Sequence, residues 1–326
     1  MNDSDKILNE RSPLKGDLFF HFPIQSIWSK TEKKIYKNQW GTIAYEQVGR
    51  SFVVAGDPLS KSLDAQVACM DDFIHFVKTK NGRVCGYYFS EEFAQKSSLE
   101  HHCAGVSRLN DLKNWSMKGH RSEEFRRARR KGEASNLEVK ELKIEDLENW
   151  QPALLNFANT WRKQKGIIRI GFLLSPLSKT LDEMLKGERL FICHKNQSIH
   201  AIISFKKWSY KNYYIDQLMQ RRGGHRYALD YLLTRSFQTL QQEGVSLVSL
   251  GFCPGIVKRP ATWVELILSL WSRTRIFYSP QGLYTFKRKY SNIEKNRYLL
   301  LDPKASKILQ IFDMERATLS LGAVEN

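Results

Sequence analysis

The stretch YYIDQLMQ–RRGGHR–YALDYLLTRSFQTLQQEG–VSLVSLGFCPG, from Tyr213 to Gly255, decides how this chain is read. Leu229, Leu232, Leu233, Phe237 and Leu240 fall on one stripe at helical spacing. Val245, Leu247, Val248 and Leu250 make a short apolar run suited to a buried strand. The order is therefore strand, basic glycine loop, amphipathic helix, strand. Gly223 and Gly224 let the backbone turn so that successive N–H groups converge, and the dipole of the helix opening near Tyr227 adds positive potential at the same point. Arg221, Arg222, His225 and Arg226 surround the turn, so it reads as an anion site; a glycine turn with solvated arginines is the plain alternative.

The loop resembles the pyrophosphate loop of the GNAT superfamily of N-acyltransferases. Gln220 with Gly223, or Arg221 with Gly224, fits its spacing, while His225 or Arg226 occupies the last small position. The resemblance implies that the strands Tyr213–Leu218 and Val245–Leu250 splay to admit the donor's arm. It assigns donor binding to Leu218, Met219, Gln220, the loop Arg221–Arg226 and Ser249.

The resemblance extends over most of the chain. Asp216, Asp230, Gly244, the LGFCP of Leu250–Pro254, YSPQGLYTFKRKY from Tyr278 to Tyr290 and Arg297-Tyr298 resemble the C-terminal domain of phosphatidylglycerol lysyltransferases, the multiple peptide resistance factors. Upstream, the AGDP of Ala55–Pro58 and the FRRARRKG of Phe125–Gly132 look like that family's first-half turn and basic linker helix. The resemblance implies a mixed α/β fold of two tandem GNAT-like domains. Residues 1–118 are expected to be a non-catalytic domain, 119–136 a basic linker helix, 137–302 the catalytic domain and 303–326 a terminal helix and tail. Asp216 matches the aspartate opening the family's Asp-Leu-Met-Arg motif and is the candidate for holding the acceptor's ammonium or taking its proton; an ion pair with a neighbouring arginine is the structural alternative. Tyr278 is a candidate general acid, with Tyr284 and Tyr290 as weaker ones. Lys287, Lys289 and Arg297 match the basic terminal motif and, with Arg126 and Arg130 of the basic helix, are expected to bind anions.

Three departures fall at the donor site. Met219 stands where the family has arginine, Ser249 where it has asparagine, and RRGGHR replaces its usual loop; Asn292 and Glu294 later replace a proline and a tryptophan. They favour transfer from a coenzyme A or acyl-carrier-protein thioester to an amine, such as a lysine or ornithine side chain of a peptide or a small amine, with no tightly bound cofactor. An aminoacyl-tRNA-dependent transferase acting on a lipid head group is the alternative, and a non-catalytic basic groove for nucleic acid or membrane is a third reading.

Composition bounds these readings. At 326 residues with 42% hydrophobic side chains, the chain can build sizeable cores. Its five cysteines form no CxxC pair, which fits reduced cytoplasmic thiols, and its histidines lack the spacing of a metal site. The apolar TWVELILSLW of Thr262–Trp271 is too short to span a membrane and suits an acyl tunnel, a lipid-facing surface or a plain core helix. The expected location is cytoplasmic, with the inner membrane face as a site of peripheral contact. A net charge of +17 attracts transfer RNA, anionic carriers or anionic lipid without choosing among them.

Overall fold

A computed structural model describes residues 34–165, 188–209, 211–273 and 279–320. Twelve strands form one mixed sheet. They are β1 (Lys34–Lys37), β2 (Gly41–Val48), β3 (Ser51–Ala55), β4 (Leu59–Ser60), β5 (Arg83–Phe89), β6 (Glu100–Asp111), β7 (Glu138–Leu142), β8 (Glu188–Lys195), β9 (Ser198–Ser209), β10 (Asn212–Gln220), β11 (Leu247–Pro254) and β12 (Ile293–Leu301). The order across the sheet is β1-β2-β3-β5-β12-β6-β11-β10-β9-β8-β7, with β4 beside β2. Among the described residues only β3 with β5 and β10 with β11 run parallel. Each parallel pair is linked by a helical crossover, α1 (Leu63–Thr79) in the first half and, in the second, the Ala228–Gln242 helix. A meander, a crossover helix and a parallel strand thus occur twice.

Local chemistry sets these elements. Ser62 caps α1 by accepting the Ala65 N–H at 3.2 Å, and Cys69, Met70, Phe73 and Val77 face the sheet. A short helix α2 (Glu91–Lys96) follows β5 with Ser90 as its cap. The basic helix α3 (Glu123–Ala134) is no free linker. Its Phe125, Ala128 and Gly132 are buried, and Phe125 joins the core cluster shared with Leu232 and Phe237 of the crossover helix. A side chain at Gly132 would place its Cβ 2.2 Å from Cγ of Tyr231. Gly132→Ala should therefore lower the denaturation free energy by about 1–3 kcal/mol, although alanine has the better helix propensity. Urea unfolding checks this; an unchanged or raised midpoint would mean that Tyr231 yields freely.

The remaining helices are α4 (Leu147–Lys165), α5 (Ala228–Gln242), α6 (Trp263–Arg273), α7 (Pro280–Lys289) and α8 (Lys307–Ser320). One face of the second-half sheet packs on α5 through Ile203, Phe205, Ile215, Val248 and Leu250; the other packs on α4 through Ile192, Ile202 and Met219. Between the two halves the sheet is unbroken. β12 lies between β5 and β6, and β6 also pairs with β11, so a strand from the expected catalytic segment completes the first-half sheet.

In the terminal helix Ile308 and Phe312 are exposed, while Gln310, Met314 and Ala317 are buried. The Gln310 amide fixes this rotation by accepting the Asp302 N–H at 2.8 Å and donating to the Asp302 carbonyl at 3.0 Å. The WVELILSLW segment is a helix, but its large side chains point away from the core.

Candidate active site

The parallel pairing of β10 with β11 lasts three residues: Asn212 opposite Leu247, Tyr213 opposite Val248 and Tyr214 opposite Ser249. Both strands then bulge. In β10 the register against β9 slips between Ile215 and Gln217, leaving Asp216 as the extra residue. In β11 the register against β6 slips between Ser249 and Gly251, leaving Leu250 extra. A bulge bends its strand and re-aims side chains, so two bulges just past the last shared pair open the sheet into a fork. This is the splay expected from the sequence.

Asp216 sits at the root of that fork and is 4% exposed. The Lys206 ammonium of β9 lies 3.0 Å from its Oδ2, an oxygen that receives no other hydrogen bond among the described residues. The ion-pair partner is thus a lysine across the bulge rather than an arginine of the loop. Lys206 was not singled out in the sequence, although a second lysine beside Lys207 in an otherwise apolar strand is a usable signal.

Opposite, Ser249 is buried and its hydroxyl accepts the Gly251 N–H at 3.1 Å, tying the β11 bulge. Gly251 has φ +86°, and a Cβ there would meet the Lys287 Nζ at 3.2 Å, so glycine admits the lysine to the backbone of β11. Lys287 is buried and donates to the Phe252 carbonyl at 3.1 Å. Burial holds its ammonium below the usual lysine range. It was expected to bind anions; α7 packs it against the backbone of β11.

The glycine loop is held largely by its own contacts. Gly223 has φ +75° and supplies the turn. The Gly224 N–H donates to the Arg221 carbonyl at 3.0 Å, and the His225 N–H to Nδ1 of His200 at 3.1 Å. Gln220 donates to the His225 carbonyl at 3.0 Å, and Arg221 reaches Ser198 at 3.4 Å. The Arg221 N–H also donates, to the His200 carbonyl at 3.0 Å, so three loop amides are already committed. Arg222 and Arg226 are exposed, and Arg226 stacks over Tyr227. Asp230 brings a carboxylate into the first turn of α5, where it accepts the Tyr290 hydroxyl. Leu218 is half-buried against the α5 core, and Met219 is buried against α4, so no side chain at the position of the family arginine enters the fork.

The other expected residues are distributed more widely. Arg297 is 3% exposed in the sheet interior, donates to the Ser107 hydroxyl at 3.2 Å and feels the charge of Asp57, so the anion it meets belongs to the protein. Burial pushes the Asp57 carboxyl up to about 6 despite that arginine. The reason for the reversal is β12, whose central place in the sheet turns Arg297 inward. Arg126 donates to the carbonyls of Met117 and Gly119 at 2.9 and 2.6 Å, whereas Arg130 is exposed. Lys289 lines a surface pocket of about 470 Å³ with Arg273, Gln281 and Phe286. Tyr278 lies outside the described residues. Tyr290 is core, and Tyr284 donates to Glu294 at 2.9 Å.

The sequence departures at Asn292 and Glu294 have structural accounts. Asn292 accepts the Asp111 N–H at 2.9 Å. Glu294 takes hydrogen bonds from Arg108, Lys258 and Tyr284; burial alone would raise its carboxyl, but these bonds hold it below the usual range. Burial also pushes the thiols of Cys69, Cys85 and Cys193 up to about 12, which leaves them poorly nucleophilic.

A crossover helix between splayed parallel strands, with a carboxylate at the root of the fork, defines a GNAT-like transferase of acyl or aminoacyl groups. The chain belongs to the family of phosphatidylglycerol lysyltransferase C-terminal domains, whose profile matches residues 26–301. Its fold is similar to that of the C-terminal domain of an inferred lysylphosphatidylglycerol synthetase from Agrobacterium fabrum, with TM-score 0.75, 17% identity and 96% of each chain covered. The L-PGS structure from Bacillus licheniformis matches with TM-score 0.65 and 18% identity over 88% of this chain and 89% of that one. FemX matches with TM-score 0.53 and 9% identity over 84% and 86%. Comparison with curated protein sequences gives no significant match. Among the described residues no helix is long and apolar enough to cross a membrane.

Proposed function

We propose that this protein transfers an aminoacyl group from a charged transfer RNA to the hydroxyl of a lipid head group. The observation that carries this reading is the family match, which runs through both halves of the sheet and includes the fork. The loop lends support: a coenzyme A pyrophosphate needs free converging amides, whereas three of these are bonded within the protein and Asp230 adds negative charge nearby. On this reading the repeated unit forms two GNAT-like halves with the chemistry in the second.

In the reaction the acceptor hydroxyl oxygen attacks the ester carbonyl of the aminoacyl-tRNA, and the terminal ribose oxygen leaves with a proton. Asp216 is suited to hold the aminoacyl ammonium or, through water, to receive the acceptor's proton. Lys206, 3.0 Å from its Oδ2, orients that carboxylate. The exposed arginines of the loop and of α3 give the RNA backbone a basic approach.

Purified protein incubated with labelled aminoacyl-tRNA and phosphatidylglycerol vesicles is expected to yield aminoacyl lipid, and ribonuclease pretreatment should abolish the product. Transfer from an acyl-CoA or acyl-carrier thioester that is indifferent to ribonuclease would reverse the assignment in favour of the thioester donor that Met219 suggests.

A further inference from the structure

Helix α6 is amphipathic in the reverse of the usual sense. Its sheet-facing side carries Val264, Glu265, Ser269 and Ser272, all buried. Glu265 accepts the N–H groups of Cys103 and Ala261, each at 2.7 Å, and a Cβ at Gly255 would lie 2.7 Å from that of Ser272, so small and hydrogen-bonded residues are what this close contact admits. The outward side repeats at i, i+3, i+4, i+7 and i+8 as Trp263, Leu266, Ile267, Leu270 and Trp271, which are 37–55% exposed. On α8, Ile308, Leu309 and Phe312 are 53–58% exposed.

The two helices share one side of the sheet. Lys307, opening α8, pairs with Glu100; Glu100 lies 3.3 Å from Nε2 of His102, and Nδ1 of His102 lies 3.0 Å from the Thr262 hydroxyl just before α6. Leu268 of α6 and Ile311 of α8 pack on the same Ala104–Leu299 cluster. Eight of the twelve large apolar side chains that are exposed among the described residues therefore belong to this one pair of helices. A patch this concentrated is a contact surface rather than ordinary scatter.

Its charges select the partner. Arg259 and Arg273 bracket α6, and Lys304 and Arg316 flank the outer side chains of α8; all four are exposed, in a chain of net charge +17. Glu315 is the exposed acid among them. An apolar stripe with a tryptophan towards each end and a basic rim matches an anionic bilayer, where apolar side chains enter the acyl boundary, indoles lie at head-group depth and cations meet lipid phosphates.

We propose that the α6/α8 face docks the protein on an anionic lipid bilayer. The proposal deepens the lipid-acceptor reading and rests on it for the source of the bilayer, but its test reads binding alone, so the two can fail separately. The intact protein and a Leu266→Ser, Ile267→Ser, Leu270→Ser variant would be cosedimented with phosphatidylcholine vesicles and with phosphatidylcholine–phosphatidylglycerol vesicles of about 7:3. The exposed positions leave the fold undisturbed, which a thermal melt verifies. The expected result is binding of the intact protein to the mixed vesicles, weakened by about tenfold or more in the variant and on pure phosphatidylcholine, with a blue shift of tryptophan emission on binding. Absence of binding, equal binding to both vesicle types, or undiminished binding by the variant overturns it. So does a concentration-dependent dimer that the variant disperses, which would give the face to a second copy of the chain. Aminoacyl transfer to a short-chain dispersed lipid, retained by the variant, would leave the transferase reading intact in either case.

Discussion

Asparagine in place of Asp216 is expected to lower kcat/KM for aminoacyl transfer by about 10²-fold or more while moving the melting temperature little. The change keeps size and hydrogen-bonding capacity and removes the charge at the root of the fork. Lys206 loses this charge partner, but its side chain is 21% exposed and can turn its ammonium into water. The reciprocal variant behaves differently. Lys206→Met leaves a carboxylate whose side chain is 1% exposed without its charge partner, and should cost about 2–4 kcal/mol of stability. A purely structural pair predicts that both variants lose activity only in proportion to lost folded protein. Full activity in a well-folded Asp216→Asn protein would remove Asp216 from the mechanism.

The second large effect concerns Arg297. Replacing it with methionine leaves the buried Asp57 carboxylate facing low dielectric without its cation, and should cost about 3–5 kcal/mol. Asp57→Asn added to Arg297→Met should return much of that loss, since the uncompensated charge has gone. The pH dependence carries a definite sign. Burial holds the folded Asp57 pKa at about 6, above the 3.8 of a free aspartate, so between these values the native state binds more protons than the unfolded chain. Its contribution to stability is fully present below about 3.8, falls as pH rises to about 6 and is level above. Without Arg297 the folded pKa rises further, so the decline extends to higher pH and Arg297→Met should look worse at pH 8 than at pH 5. Guanidinium unfolding at both values checks this. Equal destabilisation at the two would show that Arg297 acts by packing alone, and a variant as stable as the parent would mean that Asp57 finds another partner.

Much of the fold was legible because its signals are local. The α5 stripe from Leu229 to Leu240 and the runs Tyr213–Leu218 and Val245–Leu250 are largely buried, and the structure forms these elements nearly where the spacing places them. β6 was not legible. EHHCAGVSRLND mixes polar and apolar residues because His102 and Arg108 are buried with partners more than a hundred residues away, at Thr262 and Glu294. The same reason hid the interior places of Lys287 and Arg297: a basic run looks solvated until long-range pairing supplies carbonyls and carboxylates for it. At the site, Asp216 and the glycine loop could be named from order and spacing. The bulge that takes Asp216 out of the strand ladder could not, since one residue slipping in register leaves no mark on composition.

The place of β12 also bears on how the chain acquires its structure. Residues 293–301 fill the gap between β5 and β6, so until they have been synthesised the first half has two unpaired inner edges. Such edges invite pairing with other chains, and closing the gap needs contacts separated by nearly two hundred residues in sequence. Folding of the halves is thereby coupled: a nascent chain stalled before Ile293 offers open backbone to chaperones or to aggregation, and excising either half deprives the other of a neighbouring strand.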